Sequence, residues 1–110
     1  MAFRWKNTGC LLSRFDLYAA PDGVGFILDL QADLLEHYNT RVVAPVVLAR
    51  DYGGAATGLN PKVMIGEEPF VVQTHLMAAI PAVHLKSPVG SIAAQADEIT
   101  SALNLLFQGH

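Results

Sequence analysis

The sequence predicts an α+β, mainly β domain: a body of short strands with one amphipathic helix at its C-terminal end. Three observations carry this. Short alternating apolar runs are separated by turn chemistry such as Pro21-Asp22-Gly23 and Gly66-Glu67-Glu68. Apolar residues then switch to helical spacing at Ile92, Ala96, Ile99, Leu103 and Leu106. Hydrophobic residues make up 52% of the chain and charged residues 15%, which excludes intrinsic disorder and requires a packed core.

The elements follow in order. Residues 1–13 show no period, and Cys10-Leu11-Leu12 is their only apolar cluster. Phe15 to Ala19 alternates and reads as a strand. Proline presets one backbone angle of the following turn and Gly23 accepts the left-handed one, so Gly25 to Gln31 returns as the second strand of a hairpin. Ala32 to His37 reads as a turn or a single helical turn. Thr40 to Val43 and Val46 to Leu48 read as a third, mostly buried strand, with Pro45 as a bulge or edge feature. Asp51 to Gly58 is a glycine-rich surface loop. Pro61 to Ile65 and Phe70 to Thr74 form a second hairpin, and Ile80 to Leu85 a further short strand, after which Lys86 to Gly90 breaks the pattern. Ser91 is placed as the N-cap of the final helix, Asp97 and Glu98 lie off its apolar stripe, and Gly109 stands where helices commonly end.

At 110 residues the chain fits one domain. So small a core cannot hide all of this apolar surface, which favours self-association into a homodimer. The net charge is -3 and only seven Lys and Arg are scattered along the chain, so direct grip on nucleic acid is not expected. Cys10 is alone and cannot close an internal disulfide. The longest apolar runs, Val42 to Ala49 and Leu76 to Val83, are interrupted by proline and too short to span a bilayer. The start has no apolar core of signal-peptide length, so the expectation is a cytoplasmic protein without membrane attachment.

The search for chemistry returns little. His37, His75, His84 and His110 share no metal-ligand spacing, so neither a metal nor another cofactor is expected. Nucleophile elbows, phosphate loops and dinucleotide fingerprints are absent. Asp29 with Asp33, and Glu67 with Glu68, are acidic pairs at a strand end and in a turn, places where carboxylates serve solubility more often than proton transfer. The residues point to a binding protein, not an enzyme.

Five stretches in register carry a resemblance. They are Leu28-Asp29-Leu30-Gln31-Ala32-Asp33-Leu34-Leu35, then Thr40-Arg41-Val42-Val43-Ala44-Pro45-Val46, then Leu59 to Glu68, then Leu76 to Pro81, and finally Ile99 to Gly109. Together they resemble the CcdB toxin family, in order from about Arg14 to the end of the chain. The resemblance implies an SH3-like barrel, or strongly bent antiparallel sheet, with a C-terminal α-helix. It implies the toxin half of a type II toxin–antitoxin module of the kind found on plasmids and other mobile elements. Such toxins are homodimers with the helices near the dyad. They poison the topoisomerase DNA gyrase by wedging their C-terminal ends into its A subunit, and a disordered antitoxin tail reverses this.

Carried over by position, the resemblance places partner contacts, to gyrase or antitoxin, at Leu34, Leu35, Asn104, Phe107, Gln108, Gly109 and His110. The helical stripe supplies Ile99, Leu103 and Leu106 as the expected dimer contacts. The chain departs from gyrase-poisoning members at two of these positions. Gln108 stands where they carry tryptophan, and His110 where they carry an aliphatic residue. Glutamine offers hydrogen bonds but little of the roughly 150–250 Å² that an aromatic side chain buries. Two alternatives therefore stay open: a toxin-fold binding protein without gyrase activity, and, against the shortage of Lys and Arg, a ribonuclease like the mRNA interferases that share the barrel. Family members begin almost directly on the first strand, so residues 1–13 read as an N-terminal extension to a toxin domain spanning 14–110.

Overall fold

The computed structural model describes residues 4–5, 14–21, 23–32, 38–56 and 58–109. Among these residues, eight strands and one α-helix follow one another: β1 (Arg4–Trp5), β2 (Asp16–Ala19), β3 (Phe26–Asp29), β4 (Thr40–Leu48), β5 (Lys62–Ile65), β6 (Glu68–Val72), β7 (Ala78–Pro81), β8 (Gly90–Ser91) and α1 (Ala96–Gln108). The sheet runs in the order β1-β8-β2-β3-β4-β6-β5, with β7 also on β4, and the pairings are antiparallel. It curls into a half-barrel closed on one side by α1, so the mainly β, α+β class read from the sequence holds.

Alternation along the strands builds two faces of unequal depth. Leu17, Leu28, Ala44, Val46, Val63, Ile65 and Val72 point to the main core, where Ile92 and Ile99 meet them. On the opposite face Tyr18, Val43 and Leu85 form a smaller cluster with Ile27 and Ile80.

Both predicted hairpins are present. Gly23 sits at φ 78 and its N–H donates to Ala20 O at 2.9 Å. Gly66 sits at φ 66 in the two-residue connection that sets Ile65 opposite Glu68. Phe15, predicted to open the first strand, instead has φ 69; it is a turn residue with its ring in the core, and β2 begins at Asp16. Pro45 lies within the continuous nine-residue β4 and is neither a bulge nor on an edge strand. Its position explains the tolerance. On one side of β4, residues Thr40 to Val43 pair with β7 and Val46 to Leu48 with β6, so Pro45 falls where the partner changes and no ladder donor is missed. Its carbonyl accepts from Gln73 N at 2.9 Å.

Three further boundaries differ. The strand expected over 80–85 is β7 followed by a 3-10 turn at Ala82–His84. The strand expected to run to Thr74 ends at Val72, with Thr74 in a second 3-10 turn where its hydroxyl donates to Leu59 O. Ser91 does not cap α1. Its Oγ accepts from Ala93 N at 3.2 Å and so holds the 3-10 turn Ala93–Gln95, while Gln95 precedes the helix with no side-chain cap. The unpatterned stretch before it holds β8, whose two residues lie between β1 and β2. Within the expected extension, Arg4 and Trp5 pair with Ser91 and Gly90, so backbone from residues 1–13 completes one sheet edge. The turn read at Ala32 to His37 falls largely outside the described residues.

Candidate partner-binding site

Helix α1 changes character along its length. Ile99 and Ala102 are fully buried, and Ala96 and Leu103 pack against the same core. Leu105 and Leu106 are half-buried, the former lying close to Gly58. Beyond them the apolar contacts stop, yet the apolar residues do not. Phe107 is 70% exposed, and Asn104, Gln108 and Gly109 beside it are exposed too. Asn104, Phe107 and Gln108 share one helical face by their spacings of three and four. Gly109, at φ 80, donates its N–H to Leu105 O at 3.0 Å and closes the helix in the left-handed conformation that only glycine adopts freely. Asp97 and Glu98 occupy the first turn, where negative charge complements the helix dipole, and no basic residue lies in the last turn. Among the described residues the tip is therefore an uncharged aromatic platform on a stem rooted in the core by Ile99 and Ala102.

Of the residues selected from the sequence, the structure brings Asn104, Phe107, Gln108 and Gly109 together. Leu34, Leu35 and His110 lie outside the described residues. Among the expected dimer contacts, Ile99 has no surface to offer a second copy, because this chain's own core encloses it completely. Leu103 and Leu106 retain partial exposure.

The acidic residues read as possible pairs have different neighbours. Asp29 is fully buried with Arg41, whose Nε and Nη2 donate to Asp29 Oδ2 at 3.0 and 2.6 Å. Asp29 Oδ1 accepts from Gln31 N at 3.0 Å. Burial pushes the Asp29 carboxyl up, against the pull of the Arg41 and Gln31 bonds. Tyr18, on the same face, is pushed up by burial first and by the Asp16 and Asp29 carboxylates second. Asp33 lies outside the described residues. Glu68 pairs with Arg50 at 3.1 Å on the open surface. His75 Nδ1 lies 3.1 Å from Asn60 Nδ2, a loop contact, and His84 is exposed in a 3-10 turn.

Sequence reasoning missed two side chains, Arg41 and Gln95, each of whose roles depends on a partner distant in the chain. Among the described residues no helix is long and apolar enough to cross a membrane. Two open grooves flank the body. One of about 570 Å³ lies between Ala56, Asn60 and Lys62 on one side and Asp97, Glu98 and Ser101 of α1 on the other, and one of about 620 Å³ is lined by Ile27, Ile80, Val83 and Leu85.

A curled antiparallel sheet carrying one C-terminal helix, with an exposed aromatic and a terminating glycine at its tip, agrees with the comparison to known families. The family model described as CcdB protein matches residues 14–109, and the chain belongs to that family.

Proposed function

We propose that the chain is the toxin of a type II toxin–antitoxin module. It acts as a cytoplasmic homodimer that engages the A subunit of DNA gyrase through the tip of α1 and poisons the topoisomerase, and an antitoxin protein neutralises it. In this reading the chain works by binding and is not an enzyme. The observation that carries the proposal is Phe107, 70% exposed at the end of a helix whose Ile99 and Ala102 are fully buried in the core. A large aromatic on a rigid support is the kind of residue that dominates protein interfaces. Membership of the CcdB family supports the toxin assignment.

One observation favours a second reading. Gln108 is exposed beside Phe107 where gyrase-poisoning members carry tryptophan. Loss of a central aromatic anchor costs about 2 kcal/mol or more, over tenfold in affinity. The alternative is a toxin-fold binding protein that no longer poisons gyrase.

Gyrase supercoiling and DNA-cleavage assays with the wild-type chain and Gln108→Trp separate the two. Poisoning by both supports the proposal. Poisoning by the tryptophan variant alone assigns the loss to that one residue and supports the second reading. RNA cleavage in a gyrase-free control would overturn both.

A further inference from the structure

Among the described residues strand β5 ends the sheet, and its outer edge is a row of backbone groups that another strand could pair with. The pairing with β6 defines which groups these are. Val72 N donates to Pro61 O at 3.0 Å, and with Lys62 opposite Val71 and Met64 opposite Pro69, Val63 and Ile65 direct their backbone groups inward to β6. Lys62 and Met64 therefore direct theirs outward. Met64 also has an apolar side chain, 42% exposed.

At Met64 a side chain takes the place of a strand. Met64 N donates to Gln95 Oε1 at 3.1 Å, and Gln95 Nε2 donates to Met64 O at 3.3 Å. A primary amide offers one donor and one acceptor in the same relative placement as a backbone unit. The two bonds thus reproduce those that a facing residue of an antiparallel neighbour makes. Gln95 lies in the 3-10 turn just before α1, so the contact also ties the start of the helix to the sheet edge.

We propose that Gln95 is a plug on this edge: its amide closes β5 against strand addition by a second copy of the chain. With Met64 occupied, Lys62 alone offers outward backbone groups, and a single rung does not hold a strand. The occupant excluded is another β5, because identical short strands pair antiparallel about a two-fold axis, and a chain that is 52% hydrophobic meets copies of itself at high local concentration during synthesis.

The test uses the full chain, with Gln95→Met, which keeps the length of the side chain and loses both bonds, and Gln95→Ala as a second opening variant. Sedimentation is followed over a concentration series, with near-ultraviolet circular dichroism reporting the fold. The expected result is a weight-average mass that climbs with concentration to at least twice the wild-type value, since each subunit of the proposed homodimer carries its own β5 edge and two-fold pairing at either edge adds a further dimer. Adding Met64→Pro to Gln95→Met removes the outward N–H and is expected to restore the wild-type mass. Wild-type mass in whichever opening variant is folded overturns the proposal. So does association that persists unchanged with Met64→Pro, because the contact then lies elsewhere.

Discussion

Replacing Asp29 by alanine tests the physics of the second sheet face most directly. The carboxylate and the Arg41 guanidinium are both fully buried, and two of Arg41's donors converge on the single oxygen Oδ2. Removing the carboxylate strands a guanidinium with no exposed surface of its own, and breaking a buried pair from one side typically costs about 3–5 kcal/mol. That is a large share of the roughly 5–15 kcal/mol by which domains are stable. With a urea slope of about 2 kcal/mol/M, a loss near 4 kcal/mol moves the unfolding midpoint down by about 2 M. Asp29→Leu combined with Arg41→Met removes both charges together, and buried pairs replaced by apolar residues are commonly neutral or stabilised by about 1–4 kcal/mol. This pair is suited to such replacement, because Arg41 Nη1 is also buried without a hydrogen-bond partner among the described residues. The assay is equilibrium urea unfolding at one fixed protein concentration, so that any subunit association cancels between variants. Asp29→Ala costing less than about 1 kcal/mol refutes the reasoning, since the guanidinium must then find water or another partner at no cost. A double variant as unstable as the single one also refutes it, because packing would then outweigh charge.

Two further predictions follow from geometry. Phe107→Ala removes a ring that is 70% exposed, so it should cost about 1 kcal/mol or less in urea unfolding; under the proposed function it should also weaken binding to the gyrase A subunit by about 2 kcal/mol or more, roughly thirtyfold in Kd by calorimetry, and unchanged binding with intact folding removes the ring from the proposed contact surface. Gly25→Ala should destabilise by more than about 2 kcal/mol, because Gly25 has φ 77 and a Cβ there collides with the Val46 carbonyl of the neighbouring strand, and an unchanged unfolding midpoint contradicts that close approach.

What the sequence discloses depends on how local the deciding interaction is. Gly66 and Gly23 announce their hairpins because the turn conformation is fixed within four residues. The α1 stripe announces itself because Ile99 and Leu103 are one turn apart on one face. Strand β8 is silent: Gly90 and Ser91 are too few for any period, and their place between β1 and β2 is decided by chain 70 and more residues away. Ser91 misleads for a related reason. A serine hydroxyl two residues before an N–H holds any tight turn, and here that turn is 3-10 and the α-helix starts later. Ile92 joins the helical stripe by spacing but belongs to the core before the helix begins. At the candidate site, the aromatic and the glycine of the tip were legible as residue types in sequence. The Gln95 contact spans 31 positions and the Arg41–Asp29 pair 12, and no periodicity predicts either.

The separation of stem and tip in α1 bears on how such a protein can alter its target without altering its fold. Substitution at Ile99 or Ala102 is paid for at once in core packing, because both are fully enclosed. Substitution at Asn104, Phe107 or Gln108 meets solvent, and the helix continues to be closed by Gly109 whichever side chain precedes it. Gln108, where gyrase-poisoning members of the family carry tryptophan, is exposed on this tip and lies outside the enclosed core. A change of that kind alters affinity for a partner while the stem holds the tip in the same place, so the tip can be tested one residue at a time without unfolding the sheet that supports it.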